Sequence, residues 1–137
     1  MECTYKHILI IDDDRINCLL NRQFVSFCLP KVMVNSFQDA TLVLQYLKEG
    51  KVAEPDLILL DINMPEMNGW EFLTQLKTIP INPDVIMLSS SLHFADIEKS
   101  TQFDAVKYYI EKPLTEEKIE RFICQKRYEP FGLDRHF

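Results

Sequence analysis

The sequence predicts an α/β fold: a doubly wound parallel sheet of five strands with helices on both faces. Three observations predict it. Short continuous apolar runs, Ile8 to Ile11, Leu57 to Leu60 and Val85 to Leu88, have the length and the Ile/Leu/Val content of strands buried on both faces. Between them, apolar residues recur at intervals of three and four, the spacing of amphipathic helices. The two patterns alternate along the whole chain, and strands that alternate with helices form a parallel sheet covered on both sides.

Taken in order, Lys6 to Ile11 reads as the first strand, ending in Asp12-Asp13-Asp14. From Arg15, the spacing of Ile16, Leu19, Leu20, Phe24 and Phe27 predicts a first helix with those residues on its buried face, closed by Pro30. Val32 to Val34 is a short second strand. Ala40, Val43, Leu44 and Leu47 mark a second helix, started near Asp39 and ended by Gly50. The run Leu57 to Leu60, held between Asp56 and Asp61, is the third strand. Ile62 to Asn68 is a loop, with Met64-Pro65 blocking an immediate helix and Gly69 near the start of the third one, which carries Phe72, Leu73 and Leu76. Val85 to Leu88 is the fourth strand, ending in three serines, and Ala95 to Thr101 is a fourth helix with a thin apolar face. Val106 to Ile110 is the fifth strand, ending in Glu111-Lys112-Pro113. Thr115 caps a final helix to about Lys126, with Glu116 and Glu117 in the first turn, where the helix dipole favours acids. Tyr128 to Phe137 reads as a tail.

The chain of 137 residues fits one domain, with a core over about 6–126 and a tail over 127–137. A net charge of −6 without a basic block argues against nucleic-acid contact through this chain alone. No apolar run approaches the roughly 20 residues of a membrane helix, and Ile8 to Ile11 is too short for a signal peptide, so the expected location is cytoplasmic, with no membrane partner. Cys3, Cys18, Cys28 and Cys124 show no C-x-x-C spacing. Cys18 and Cys28 share one helix about 15 Å apart, too far for a disulfide, which fits reduced, packed thiols.

The polar residues fall at strand ends: Asp12 and Asp13 after the first strand, Asp61 after the third, Ser89 after the fourth and Lys112 after the fifth. In a parallel sheet these ends share one edge, where ligands of open α/β sheets bind. Several carboxylates held together need a positive charge between them. Oxygen ligands in that number select a hard cation, and a site completed by water suits Mg²⁺. A carboxylate nucleophile, a cation, an ammonium and a hydroxyl together suit phosphoryl transfer, in which catalysis is chiefly positioning and charge neutralisation.

On these residues, from about Lys6 to Lys126, the chain resembles a receiver domain of two-component response regulators. The resemblance implies the flavodoxin-like strand order 2-1-3-4-5, known from flavodoxin and a chemotaxis response regulator. It implies Asp61 as phospho-acceptor, Asp13 as a direct Mg²⁺ ligand, Asp12 as a helper through water, and the Asn63 backbone carbonyl as a further ligand. Lys112 would contact the phosphoryl group, with Ser89 and Tyr109 as the switch pair, Tyr109 moving from an exposed to a buried position. Met64-Pro65 and Gly69 also fall on the pattern, and a cis Lys112-Pro113 bond would bring the lysine over the site. Asp14 takes a supporting role. The sequence departs from the pattern at Phe103-Asp104-Ala105, where the family often has a Gly-Ala turn. His7, His93 and His136 read as packing or surface residues.

The resemblance therefore implies a stand-alone signalling switch rather than an enzyme. It would take its phosphoryl group from a histidine kinase or phosphotransfer protein. A downstream protein would read it through the face of the fourth helix, fifth strand and fifth helix. The alternative is a Mg²⁺-dependent phosphatase with an aspartyl-phosphate intermediate. In those enzymes the acceptor usually lies in a D-x-D motif on the first strand and a cap covers the substrate, whereas here it lies on the third strand in Asp61-Ile62-Asn63. An FMN-binding flavodoxin is excluded by the aspartates that end the first strand and would repel a phosphate.

Overall fold

The structure, a computed structural model, describes residues 2–124 and 132–133. The elements run β1 (His7–Ile11), α1 (Arg15–Cys28), β2 (Met33–Phe37), α2 (Ala40–Glu49), β3 (Leu57–Asp61), α3 (Gly69–Leu76), β4 (Asp84–Ser89), α4 (Phe94–Ser100) and β5 (Val106–Glu111). The last helix, α5, opens as the turn Glu116–Lys118 and continues as a π-helical stretch, Ile119–Cys124. The expected helix end near Lys126, and His136, lie outside the described residues. The strands pair in parallel in the order β2-β1-β3-β4-β5, as expected. Within the segment expected to be a tail, β6 (Gly132–Leu133) adds a sixth parallel strand, pairing with Tyr108 and Tyr109 on the outer edge of β5.

β1 and β3 are buried along their full length, and the sheet separates two apolar layers. Leu9, Ile11, Ile58 and Leu60 pack under α2 and α3; Ile8, Ile10, Leu57 and Leu59 pack with Val25 of α1 and Ile119 and Ile123 of α5. Each such side chain contributes roughly 1.5–3 kcal/mol on burial, which makes the central strands the rigid part of the molecule. In β5 the register slips between Val85 and Ile86, so Lys107 is the extra, exposed residue of a bulge. The bulge lets Val106 and Tyr109, an odd number apart, face the same layer.

Helix ends are capped by local side chains. Asp14 Oδ1 accepts from the Ile16 and Asn17 amides, and Asp39 Oδ1 from those of Thr41 and Leu42. Asn68 and Glu71 form a reciprocal capping box at α3, and Thr115 Oγ1 accepts from Lys118 N. The glycine-free turn before β5 closes through Phe103 N to Ser100 O and Val106 N to Phe103 O, and the Phe103 ring stacks on Trp70 with centroids 6.0 Å apart.

One expectation fails. Of the predicted buried face of α1 only Phe24 packs against the core; Ile16 is 69% exposed and Phe27 81%, with Leu19 and Leu20 also exposed, while Cys18, Val25 and Cys28 are buried. At 3.6 residues per turn, Val25 lies almost opposite Ile16 and Leu20. The helix carries two apolar stripes, and the smaller side chains face the sheet. β2 is also longer than expected, because its half-buried residues Asn35 and Ser36 extend the pairing with β1.

Candidate functional site

The carboxyl edge of the sheet assembles four of the residues singled out from the sequence. Asp61 is the last residue of β3, Asp12 and Asp13 follow β1, and Lys112 follows β5. Carboxylate oxygens of Asp12, Asp13 and Asp61 lie within 4.8 Å of one another. Lys112 Nζ donates to Asp12 Oδ2 at 2.9 Å and lies 3.4 Å from Asp61 Oδ1. Asp12 is 1% exposed, and its other oxygen, Oδ1, accepts from Asp14 N at 3.0 Å. Asp13 is exposed at the mouth of the site, beside a cleft of about 270 Å³ that runs to Met64 and Pro65.

Crowding makes Asp61 harder to ionise. Burial, followed by the charge of Asp12 and a hydrogen bond with Asp13, raises its pKa from 3.8 to about 6; Lys112 and the Asn63 amide pull the other way. Asn63 N donates to Asp61 Oδ1 at 3.4 Å. Burial pulls the Lys112 ammonium down, but the hydrogen bond and charge of Asp12 together with Asp61 outweigh it, leaving its pKa above the usual value. The lysine is therefore a fixed cation across the neutral range.

Gly69 has a reason in space rather than in φ. A Cβ there would lie 3.2 Å from the Asp61 carbonyl oxygen, 3.2 Å from Ile62 Cα and 3.0 Å from Met87 Cε. Gly69 N donates to Ile62 O at 2.9 Å, and the buried Ile62 and Met64 anchor the loop after Asp61. The Lys112-Pro113 bond is cis, as expected.

Ser89 ends β4 and is buried, but its hydroxyl is engaged outside the acid cluster: it donates to Ser91 O at 2.7 Å. The Tyr109 hydroxyl reaches the same oxygen at 3.4 Å, and its ring is already fully buried rather than exposed. Ser91, which the sequence did not single out, thus links the two expected switch residues; one serine among three offered no signal. Asp14 proves to be the α1 cap, a role legible in an Asp just ahead of a helical period. His7 is a packing residue, its Nε2 2.9 Å from Asn35 Nδ2, and His93 sits exposed at the N-cap of α4.

Residues 8–123 match the family model described as the response regulator receiver domain. The chain belongs to that family. The receiver is 33% identical over 135 residues to the transcriptional regulatory protein DcuR of Shigella flexneri, covering 95% of this chain and 54% of that one. It is 37% identical over 125 residues to the transcriptional regulatory protein MalR of Bacillus subtilis (strain 168), covering 88% and 50%. It therefore spans about half the length of these curated relatives. Among solved structures, a two component response regulator from Cytophaga hutchinsonii superposes with a TM-score of 0.75 at 32% identity, over 85% of this chain and 92% of that one. Receiver domains as a family are phosphorylated on an aspartate, generally bind Mg²⁺, and interact with histidine kinases and downstream effectors; the acidic cluster of this receiver is a set that could hold a metal. Among the described residues no helix is long and apolar enough to cross a membrane.

Proposed function

We propose that this receiver accepts a phosphoryl group on Asp61 from a phosphohistidine donor, a histidine kinase or phosphotransfer protein, and signals through a protein partner. The observation that carries this is the Asp61 carboxylate on the rigid end of β3, with an ammonium at 3.4 Å and two further carboxylates within 4.8 Å. Asp12 is committed on both oxygens, to Lys112 and to the Asp14 amide, and Asp13 lies exposed at the mouth, which favours Asp61, buried at the strand end beside Lys112, as the nucleophile. A pKa of about 6 keeps Asp61 ionised at neutral pH. In the transfer one Asp61 oxygen forms the new P–O bond as the donor's N–P bond breaks, and the imidazole nitrogen leaves with the electron pair. Lys112 neutralises charge on a non-bridging oxygen.

The donor set fits a hard divalent cation. Asp13 and Asp61 would hold it directly, with the Asn63 carbonyl, and Asp12 would act through water, as its engaged oxygens suggest. When bound, Mg²⁺ supplies charge neutralisation for the phosphoryl oxygens and for the carboxylates themselves.

The exposed stripe of α1 supports the choice of donor. Ile16, Leu19 and Leu20 begin one turn from Asp13 and form an apolar shoulder beside the acid cluster. A donor presenting phosphohistidine on a helical surface would cover it while delivering the group to Asp61.

Output would use α4, β5 and α5. A phosphoryl group on Asp61 would draw the Ser89 hydroxyl away from Ser91 O, and the Tyr109 hydroxyl, held on the same oxygen, would feel that change. Because the ring is already inside, phosphorylation would stabilise a position that the free protein visits rather than create one. β6 occupies the outer edge of β5, so a partner would meet helix surfaces rather than an open strand. The net charge of −6 argues against DNA contact by these residues, even though the longer relatives are transcriptional regulators.

Incubation with acetyl phosphate and Mg²⁺ should add one acid-stable, base-labile phosphoryl group, lost on chelation and in Asp61→Ala. Full labelling of Asp61→Ala would reassign the acceptor.

A further inference from the structure

Two of the four cysteines lie together at the end of the sheet opposite the acid cluster. Cys3 precedes β1 and Cys124 closes the π-helical stretch of α5, so nearly the whole described chain separates them in sequence. The Cys3 thiol points at the last turn of that stretch, Sγ lying 3.9 Å from the carbonyl oxygen of Ile123, the residue before Cys124, and it is near enough to the Cys124 thiol to help raise its pKa. Both pack on the rim of the same apolar layer beneath α1 and α5. Both are also partly exposed, whereas Cys18 and Cys28 are buried in α1.

We infer that Cys3 and Cys124 form a reversible disulfide, a redox-controlled staple between the N-terminal segment and the last helix. Proximity across the fold is the requirement that sequence spacing cannot show, since a disulfide needs its two Cα atoms within about 7 Å. Thiol–disulfide exchange with a small-molecule disulfide such as oxidised glutathione supplies the chemistry. The Cys3 thiolate attacks one sulfur of the reagent, breaking its S–S bond, forming a mixed disulfide and releasing one thiolate. The Cys124 thiolate then displaces the second thiolate from Cys3. The protein loses two S–H bonds and gains one S–S bond, and the reagent leaves as two thiols, so the protein is oxidised and the reagent reduced.

The environment sets the pace. Burial, and then the neighbouring Cys3 thiol, push the Cys124 pKa up to about 12, so little of it is thiolate in the neutral range. Once Cys3 is tied up in a mixed disulfide its charge no longer opposes ionisation of Cys124, and the second step is easier than the dithiol suggests. The staple would tie the last described turn of α5, within Ile119–Cys124, to the segment before β1. It would thereby stiffen one wall of the α4, β5 and α5 face. The inference stands on the thiol geometry and is independent of which residue accepts phosphate.

The experiment uses the full chain, reduced, freed of reductant and exposed to oxidised glutathione. Peptide mapping without reductant should recover the Cys3 peptide linked to the Cys124 peptide, with Cys18 and Cys28 alkylated only after unfolding. Dithiothreitol should reverse the link. Amide exchange across Ile119–Cys124 should slow at least tenfold on oxidation in the parent and be unchanged in Cys3→Ser. Cys124→Ala serves as a second variant and should leave Cys3 as a stable glutathione adduct. Linkage of Cys3 to a second chain would overturn the inference. So would lasting adducts on both cysteines of the parent, a link to Cys18 or Cys28, or an oxidation effect on exchange that survives in Cys3→Ser.

Discussion

Asp61→Asn should stabilise the metal-free receiver, and by an amount that depends on pH. In the folded chain burial and the Asp12 charge raise the Asp61 pKa from 3.8 to about 6. The folded state therefore holds this proton more tightly than the unfolded one. The associated stability is fully present below the unfolded pKa, near 3.8, and is lost as pH rises through about 6. Each tenfold change is worth about 1.4 kcal/mol, so the ionised carboxylate costs at most about 3 kcal/mol at pH 8. The Asp61 side chain is 8% exposed and borders the exposed Asp13, and Asn also gives up the carboxylate's 3.4 Å contact with Lys112, so the expected gain is roughly 1–2 kcal/mol. That corresponds to a rise in melting temperature of roughly 3–8 °C. At pH 4.5 only about a third of the gain should remain. Lys112 keeps its 2.9 Å partner Asp12 in the variant, so no ammonium is left stranded. The assay is thermal melting of both proteins in chelator at pH 4.5 and pH 8, followed by Mg²⁺ addition, which should stabilise the parent more than the variant. An Asn variant no more stable than the parent at pH 8, or equally stabilised at both pH values, would refute the account of carboxylate crowding.

Three further outcomes are expected. Gly69→Ala should lose about 1–3 kcal/mol in urea unfolding followed by Trp70 fluorescence, because the added Cβ meets the Asp61 carbonyl and Ile62 backbone, which cannot yield as a flexible side chain would. Leu20→Glu should change stability by less than about 0.5 kcal/mol, since the residue is 55% exposed, and leave acetyl phosphate labelling intact. It should slow transfer from a phosphohistidine donor, and equal transfer rates would remove α1 from the docking surface. Ser89→Ala should still accept phosphate on Asp61, while amide exchange at Val106–Ile110 responds less to beryllofluoride, a phosphoryl mimic; a full response would place the switch elsewhere.

Much of the site could be read in the sequence because a parallel sheet converts order along the chain into position on one edge. Once Ile8 to Ile11, Leu57 to Leu60 and Val85 to Leu88 are strands, Asp12, Asp61 and Ser89 must fall on the same carboxyl edge, whatever the loops do. Lys112 follows from the same rule. The caps at Asp39 and Thr115 were legible for a local reason: each bonds amides two or three residues ahead.

What resisted reading depends on which surfaces meet. The period of α1 announces an apolar stripe, yet a helix with apolar residues on two sides does not say which side the sheet will take. Packing at close range favoured the smaller Cys18, Val25 and Cys28 and left Ile16 and Phe27 in water. The bulge at Lys107, which sets the face of Tyr109, is one extra residue in a strand and leaves no mark on composition. The Ser91 carbonyl that joins Ser89 to Tyr109, and the meeting of Cys3 with Cys124, link groups through backbone atoms or across the chain's whole length. The sequence by itself determined the strands, their ends and the chemistry placed there, because those follow from local periodicity and a topological rule. Only the tertiary structure decided which helix face is buried, where each hydroxyl points and which distant side chains touch, because close packing is settled by the shapes of all the neighbours at once.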